Sequence, residues 1–173
     1  MARFVDRLIH DAFSAPVELI VDPSEDDLVD VRHRRLRHYW WSAFRLRQRL
    51  PRQEDIGAGF LDEIADFSVI AVPDRDDHRL EVYGRALARA YGRNMKGQRL
   101  ADFPPLVAQF MRSIYAVCRS HQVPVFTLHT PPPEIEVETW LRLVLPLEDA
   151  DARIRFLACS VPLGLHVPLQ RPA

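Results

Sequence analysis

The change of period between Leu80 and Gly97 constrains this chain more than any other stretch. Arg79 to Tyr83 alternates in polarity, as a strand with one wet face does. Gly84 ends the alternation, and Leu87, Ala90 and Tyr91 then fall on one short helical face. Gly92 and Gly97 bracket a turn around Asn94, where positive backbone angles carry little strain. A strand that feeds directly into short helices belongs to a fold in which helices wrap a sheet.

The flanks supply the rest of that fold. Phe67 to Val72 reads as a strand and pairs with 79–83 through a turn at Asp74 to His78. Asp102-Phe103-Pro104-Pro105 leads into a helix over 106–120, with Val107, Phe110, Met111, Ile114, Tyr115 and Cys118 as its buried stripe. Val125 to His129 is a strand. Glu136 to Leu145 and Arg153 to Val161 form a long hairpin turning at Asp149 to Asp151. Upstream, Leu36, Tyr39, Trp40, Ala43, Phe44, Arg47 and Leu50 recur at steps of three and four, which predicts a helix over residues 32–50 ended by Pro51. Its aromatic stripe is too bulky for water. It must cover a sheet or pair with a second copy of itself. The expected fold class is α+β: a five-stranded antiparallel sheet, helices across one face, and an added N-terminal amphipathic helix. The domain is expected over 32–161, after a partly flexible extension 1–31 that includes a mixed segment Phe4 to Phe13. A tail follows at 162–173.

Bulk properties narrow the function classes. A chain of 173 residues suits one domain of roughly 100–200 residues. Its formal charge of -1 gives no global reason to bind a polyanion. Charge is nonetheless asymmetric: an acidic run from Glu18 to Asp30 meets Arg32, Arg34, Arg35, Arg37, Arg45, Arg47, Arg49 and Arg52. Cys118 and Cys159 stand far apart in apolar surroundings and read as small buried hydrophobes. No apolar run approaches a membrane span, and charges at Arg3, Asp6 and Arg7 break any signal-peptide order. A cytoplasmic location is expected.

These residues carry a family resemblance. Tyr39-Trp40 in the leading helix, Leu50-Pro51 followed by Asp55, Tyr83-Gly84, Leu87, Tyr91-Gly92-Arg93, Gly97 and Leu145-Pro146-Leu147 occur in the order and spacing of the PAS superfamily. Within it, the chain resembles the PAS-type family common in alphaproteobacteria, over roughly Leu36 to Val161. Glu81-Val82-Tyr83 departs from the family's usual Arg and Val or Leu before the first glycine, and the first helix is more continuous and more basic. The resemblance implies a stand-alone, non-enzymatic sensory or protein-interaction module of a bacterial signal-transduction or regulatory system. It would act through a regulatory or signalling partner protein or as a homodimer. It also implies a ligand pocket on the concave side of the sheet, with Tyr83, Leu87, Tyr91, Met111, Ile114 and Tyr115 as candidate lining. The candidate interaction face is Tyr39, Trp40, Ala43, Phe44 and Arg47.

Other chemistries are weaker. No cofactor is expected, although a small-molecule ligand is compatible with the family. Haem is disfavoured, because His121 at the end of the long helix reads as a capping or surface residue. A flavin photocycle needs a cysteine in residues 84–105, which contain none. Asp74, Asp76, Asp77 and His78 form a turn with no distant metal partner. Gly92 to Gly97 lacks the Lys-Ser/Thr of a phosphate loop. No serine-nucleophile elbow or His-Glu-x-x-His is present, so no catalytic residue is assigned. The alternative function class is a nucleic-acid-associated regulator using the arginine-rich helix 32–52.

Overall fold

A computed structural model describes residues 17–131 and 137–164. Six strands form one antiparallel sheet: β1 Glu18–Val21, β2 Ser68–Asp74, β3 Asp77–Tyr83, β4 Val125–His129, β5 Thr139–Glu148 and β6 Ile154–Leu163. Their spatial order is β1-β4-β5-β6-β2-β3. The helices are α1 Val31–Arg47, α2 Ala58–Ile64, α3 Arg85–Ala90 and α4 Pro105–His121.

The expected hairpins are present. β5 and β6 pair over ten residues, from Thr139↔Leu163 to Glu148↔Ile154. β2 joins the two halves of the sheet, pairing with β3 on one side and β6 on the other. The β2–β3 turn is tighter than the sequence suggests. The strand runs on through Pro73, which pairs with His78, and Arg75 takes the left-handed φ of 58° at the tip. A proline is tolerated there because its missing N–H lies near the strand end.

Two expectations need correction. The sheet has six strands, not five, because Glu18–Val21 pairs with β4 at the sheet edge. The helices also cover both faces. Alternate residues of β5 explain why. Trp140 and Val144 enter the core under α4, whereas Leu141, Leu143, Leu145 and Leu147 enter the core under α1 and α2. β6 divides in the same way: Phe156 and Ala158 on the α4 side, Leu157, Cys159 and Val161 on the α1 side. A strand apolar on both faces requires a cover on each.

α1 is therefore part of the core. Asp30 caps it by accepting from the Arg32 N–H at 2.8 Å, and Gln48 closes it in the left-handed conformation. Leu36 and Trp40 are fully buried, and Trp40 Nε1 donates to the Pro146 carbonyl of β5 at 2.7 Å. Of the two expected arrangements, covering a sheet or pairing with a second copy, the stripe takes the first and closes over its own sheet. Ala43 is buried with Trp40, Tyr39 and Phe44 are half-buried, and only Arg47 is exposed. Arg47 itself pairs with Asp55. Residues 1–16, which include Phe4 to Phe13, and 165–173 lie outside the described residues. Among the described residues, no helix is long and apolar enough to cross a membrane.

Candidate functional site

The second face of the sheet carries the cavity. α3, the loop after it and α4 arch over the central strands and leave a space of about 430 Å³, counting its open mouth. Much of that volume is the mouth, and the walls inside stand close together. Val69, Tyr83, Trp140, Arg142 and Ala158 form the sheet side. Leu87 comes from α3, Tyr91 from its C-cap, and Leu100 and Phe103 from the approach to α4. Val107, Met111 and Tyr115 come from α4 itself.

Local sequence explains how these walls are held. Gly84 passes so close to the preceding segment that a Cβ there would lie 2.2 Å from the Asp66 carbonyl oxygen. Only glycine allows the chain to leave β3 and start α3 at that point. After α3, Gly92 turns the chain with a φ of 71°. Arg93 donates to the Asp102 carbonyl at 2.7 Å, and Asn94 Oδ1 accepts from the Lys96 N–H at 2.9 Å. Gly97 then donates to the Leu80 carbonyl at 2.7 Å while Leu80 donates to Gln98 at 2.9 Å, so this loop covers the β3 edge. Met95, in the middle of the loop, is buried in the core.

The structure brings together Tyr83, Leu87, Tyr91, Met111 and Tyr115 around one cavity. Ile114 is fully buried in the same core but does not line the space. Burial raises the phenol pKa values of Tyr83, Tyr91 and Tyr115, against the pull of the nearby Arg142 charge. These side chains are neutral hydroxyls at physiological pH. Trp140 and Arg142 also line the cavity, beyond the candidate residues of the sequence. The signal existed: Arg142 is the one charge within Trp140 to Leu147, a strand otherwise apolar apart from its proline. Its side chain is 8% exposed.

The remaining candidates fall elsewhere. His121 is exposed at the end of α4 and does not line the cavity. Asp74 pairs with Arg99 at 2.9 Å, and Asp77 with Arg112 at 3.2 Å and the Ala101 N–H at 2.9 Å. Burial opposes ionisation of Asp77, but these donors hold its pKa below the usual carboxylate value. His78 Nε2 accepts from Arg119 at 2.9 Å. This acidic turn is therefore neutralised by arginines, and among the described residues no group of three His, Cys, Asp or Glu could hold a metal. Cys118 and Cys159 are buried free thiols on opposite faces of the sheet. Burial raises both pKa values, Cys159 to about 12, so neither is an activated thiolate.

The arginine-rich helix is also engaged internally. Arg32 pairs with Asp30, Arg35 with Glu63, Arg47 with Asp55, and both Arg49 and Arg52 with Glu148. Arg37 donates to the Pro23 carbonyl and lies over the Trp41 ring, as Arg45 does. Much of the charge that suggested a phosphate-binding face is answered by carboxylates of the same chain.

No protein-family model and no curated protein matches the chain. It is similar to the solved structure of an RNA-binding light-oxygen-voltage receptor, at 15% identity and a TM-score of 0.44. That match covers 85% of this chain and 38% of the other, so the chain spans well under half of that receptor. It is also similar to the light-state structure of the blue-light photoreceptor Aureochrome1 LOV domain. There the identity is 15% and the TM-score 0.38, covering 62% of this chain and 89% of that one.

Proposed function

We propose that the chain is a non-enzymatic, PAS-like sensory module that holds a small molecule between the sheet and the α3–α4 arch. A change at that site would pass to a partner protein. The cavity carries this reading. It is aromatic and apolar, with few polar groups aimed inward, which is the composition of a ligand site. Its polar groups are neutral phenols, an indole N–H, a thioether and a guanidinium. None is a general base or an activated nucleophile at neutral pH, which supports binding over catalysis.

α3 is the element suited to transmit occupancy. It spans six residues, too few to be stable alone, and depends on Leu87 and Tyr91 packing at the cavity wall. A ligand among these side chains would order α3 and alter the outer surface it offers. The test is a metabolite collection screened by thermal unfolding, together with denaturing mass spectrometry of the protein as purified. Ligands that raise the melting temperature and shift the amide signals of residues 84–103 support the proposal. If no compound binds and no co-purified molecule is found, small-molecule sensing is overturned.

A further inference from the structure

Two buried donors without an acceptor and a buried guanidinium that faces no carboxylate among the described residues line the cavity. Arg142 Nε donates to the Ser160 hydroxyl at 2.8 Å, and its Nη1 meets the Met111 sulfur at 2.8 Å. Among the described residues no carboxylate pairs with it. The Trp140 Nε1–H and the Tyr115 hydroxyl are both buried with no hydrogen-bond partner. A guanidinium out of water is costly unless an anion faces it. A thioether is a weak acceptor and cannot serve that role. Unpartnered polar atoms also occur elsewhere among the described residues, at His33 and Trp41 for example, but at this cavity two of them lie beside a buried guanidinium.

We infer that the cavity takes a small organic monoanion, a carboxylate on a flat apolar body. Arg142 meets the carboxylate, with Trp140 and Tyr115 as supporting donors. The inference rests on the sensory reading above and names the ligand class that site would read. The charge count selects a monoanion, because among the described residues Arg142 is the single charged one lining the cavity. A phosphate dianion would leave net charge in a dry site. The planar guanidinium fork also matches a carboxylate. The body of the ligand would lie among Tyr83, Tyr91 and Phe103. Because the walls stand close, Met111 must withdraw to admit it, which its flexible thioether chain allows.

The test compares phenylacetate and 3-phenylpropionate with their primary amides, which have nearly the same shape and no charge. Binding is measured by calorimetry on the full chain, with Arg142→Met and Tyr115→Phe as variants. The acids are expected to bind at least about tenfold more tightly than the amides, the value of a charge-assisted hydrogen bond. Arg142→Met should abolish that preference while melting no lower than the wild type, because it removes an unpaired buried charge. Tyr115→Phe, which deletes only an unpartnered hydroxyl, should keep the fold and weaken the acids by a few-fold. Equal binding of acids and amides would overturn the anion inference and leave the sensory reading standing. Failure of all four compounds to bind would overturn the anion inference, while the sensory reading falls only if the metabolite collection and the co-purified fraction also yield no ligand. A preference for acids that survives in Arg142→Met would remove Arg142 from the site.

Discussion

Trp40 and Pro146 are 106 residues apart in the chain, yet the indole N–H of one donates to the carbonyl of the other at 2.7 Å. This bond, with the fully buried indole around it, fastens α1 to the C-terminal half of β5. Trp40→Ala should therefore cost about 3–5 kcal/mol, the range for deleting a buried large aromatic. Urea unfolding measures the loss, and sedimentation should show the same assembly state before and after. A variant of normal stability that dissociates a dimer would show instead that Trp40 faces a second copy.

Gly84 and Asp66 make the second tight junction. A methyl group at residue 84 would collide with two carbonyl oxygens of the preceding segment, at 2.2 and 2.8 Å. Neither atom belongs to a flexible side chain. Gly84→Ala should destabilise by about 1–3 kcal/mol or more, as overpacking does. It should also disturb the α3 wall first. Hydrogen exchange at residues 85–91 is the readout. A midpoint change equivalent to less than about 0.5 kcal/mol, typical of a surface substitution, would contradict this account of the junction.

Stability should fall on acidification before the carboxylates titrate. His33 is fully buried, with Nε2 bonded to the Cys159 carbonyl at 3.0 Å and Nδ1 unpartnered. Burial lowers its pKa from 6.5 to about 4. His78 shifts to about 4 as well, through burial and then the charge of Arg119. Both folded values lie below the unfolded value, so between them the unfolded chain binds more protons. Stability is thus full above pH 6.5 and declines as pH falls toward 4. For His33 the loss is on the order of 2–4 kcal/mol. His33→Gln should flatten the decline in denaturant midpoint between pH 6.5 and 4.5. An unchanged slope would mean that His33 does not titrate differently on folding.

Met111 should act as a movable wall. Met111→Ala removes a side chain that closes one side of the cavity and touches Arg142. Core truncation of this kind costs about 2–5 kcal/mol, yet a ligand that fills the space should recover part of it. The variant should melt lower than wild type and gain more from phenylacetate than wild type does. A variant that gains nothing from the ligand would place the site elsewhere.

The sequence shows its long-range architecture unevenly, for physical reasons. The faces of β6 are legible residue by residue, because Ile154, Phe156 and Ala158 alternate with Leu157, Cys159 and Val161. The same pattern, apolar on both sides, already demands two covered faces. Expecting helices on one face overlooked that demand. β1 escaped because Glu18–Val21 is only four residues long and sits within an acidic run, with Leu19 as its one buried side chain. α2 escaped because it is seven residues long, contains Gly59, and starts from Gly57 at a φ of 83°. Tyr83, Tyr91 and Tyr115 enter as candidate lining only through the family resemblance; periodicity alone places Tyr115 on the buried stripe of its helix. Arg142 is hidden in the sequence because a single charge in an apolar strand has the same pattern whether it lines a cavity or snorkels to solvent.

The most direct measurement uses the three tryptophans. Trp40 and Trp41 lie in α1, against the opposite face of the sheet, whereas Trp140 lines the cavity. In a proton–nitrogen NMR spectrum each indole N–H gives its own signal, and Trp140→Phe assigns one of them. On titration with phenylacetate, the Trp140 signal should move saturably while those of Trp40 and Trp41 stay fixed. Phenylacetamide at the same concentrations should leave all three nearly unmoved. A Trp140 signal indifferent to the acid, or responding equally to the amide, would contradict a cavity built around Arg142 for an organic anion.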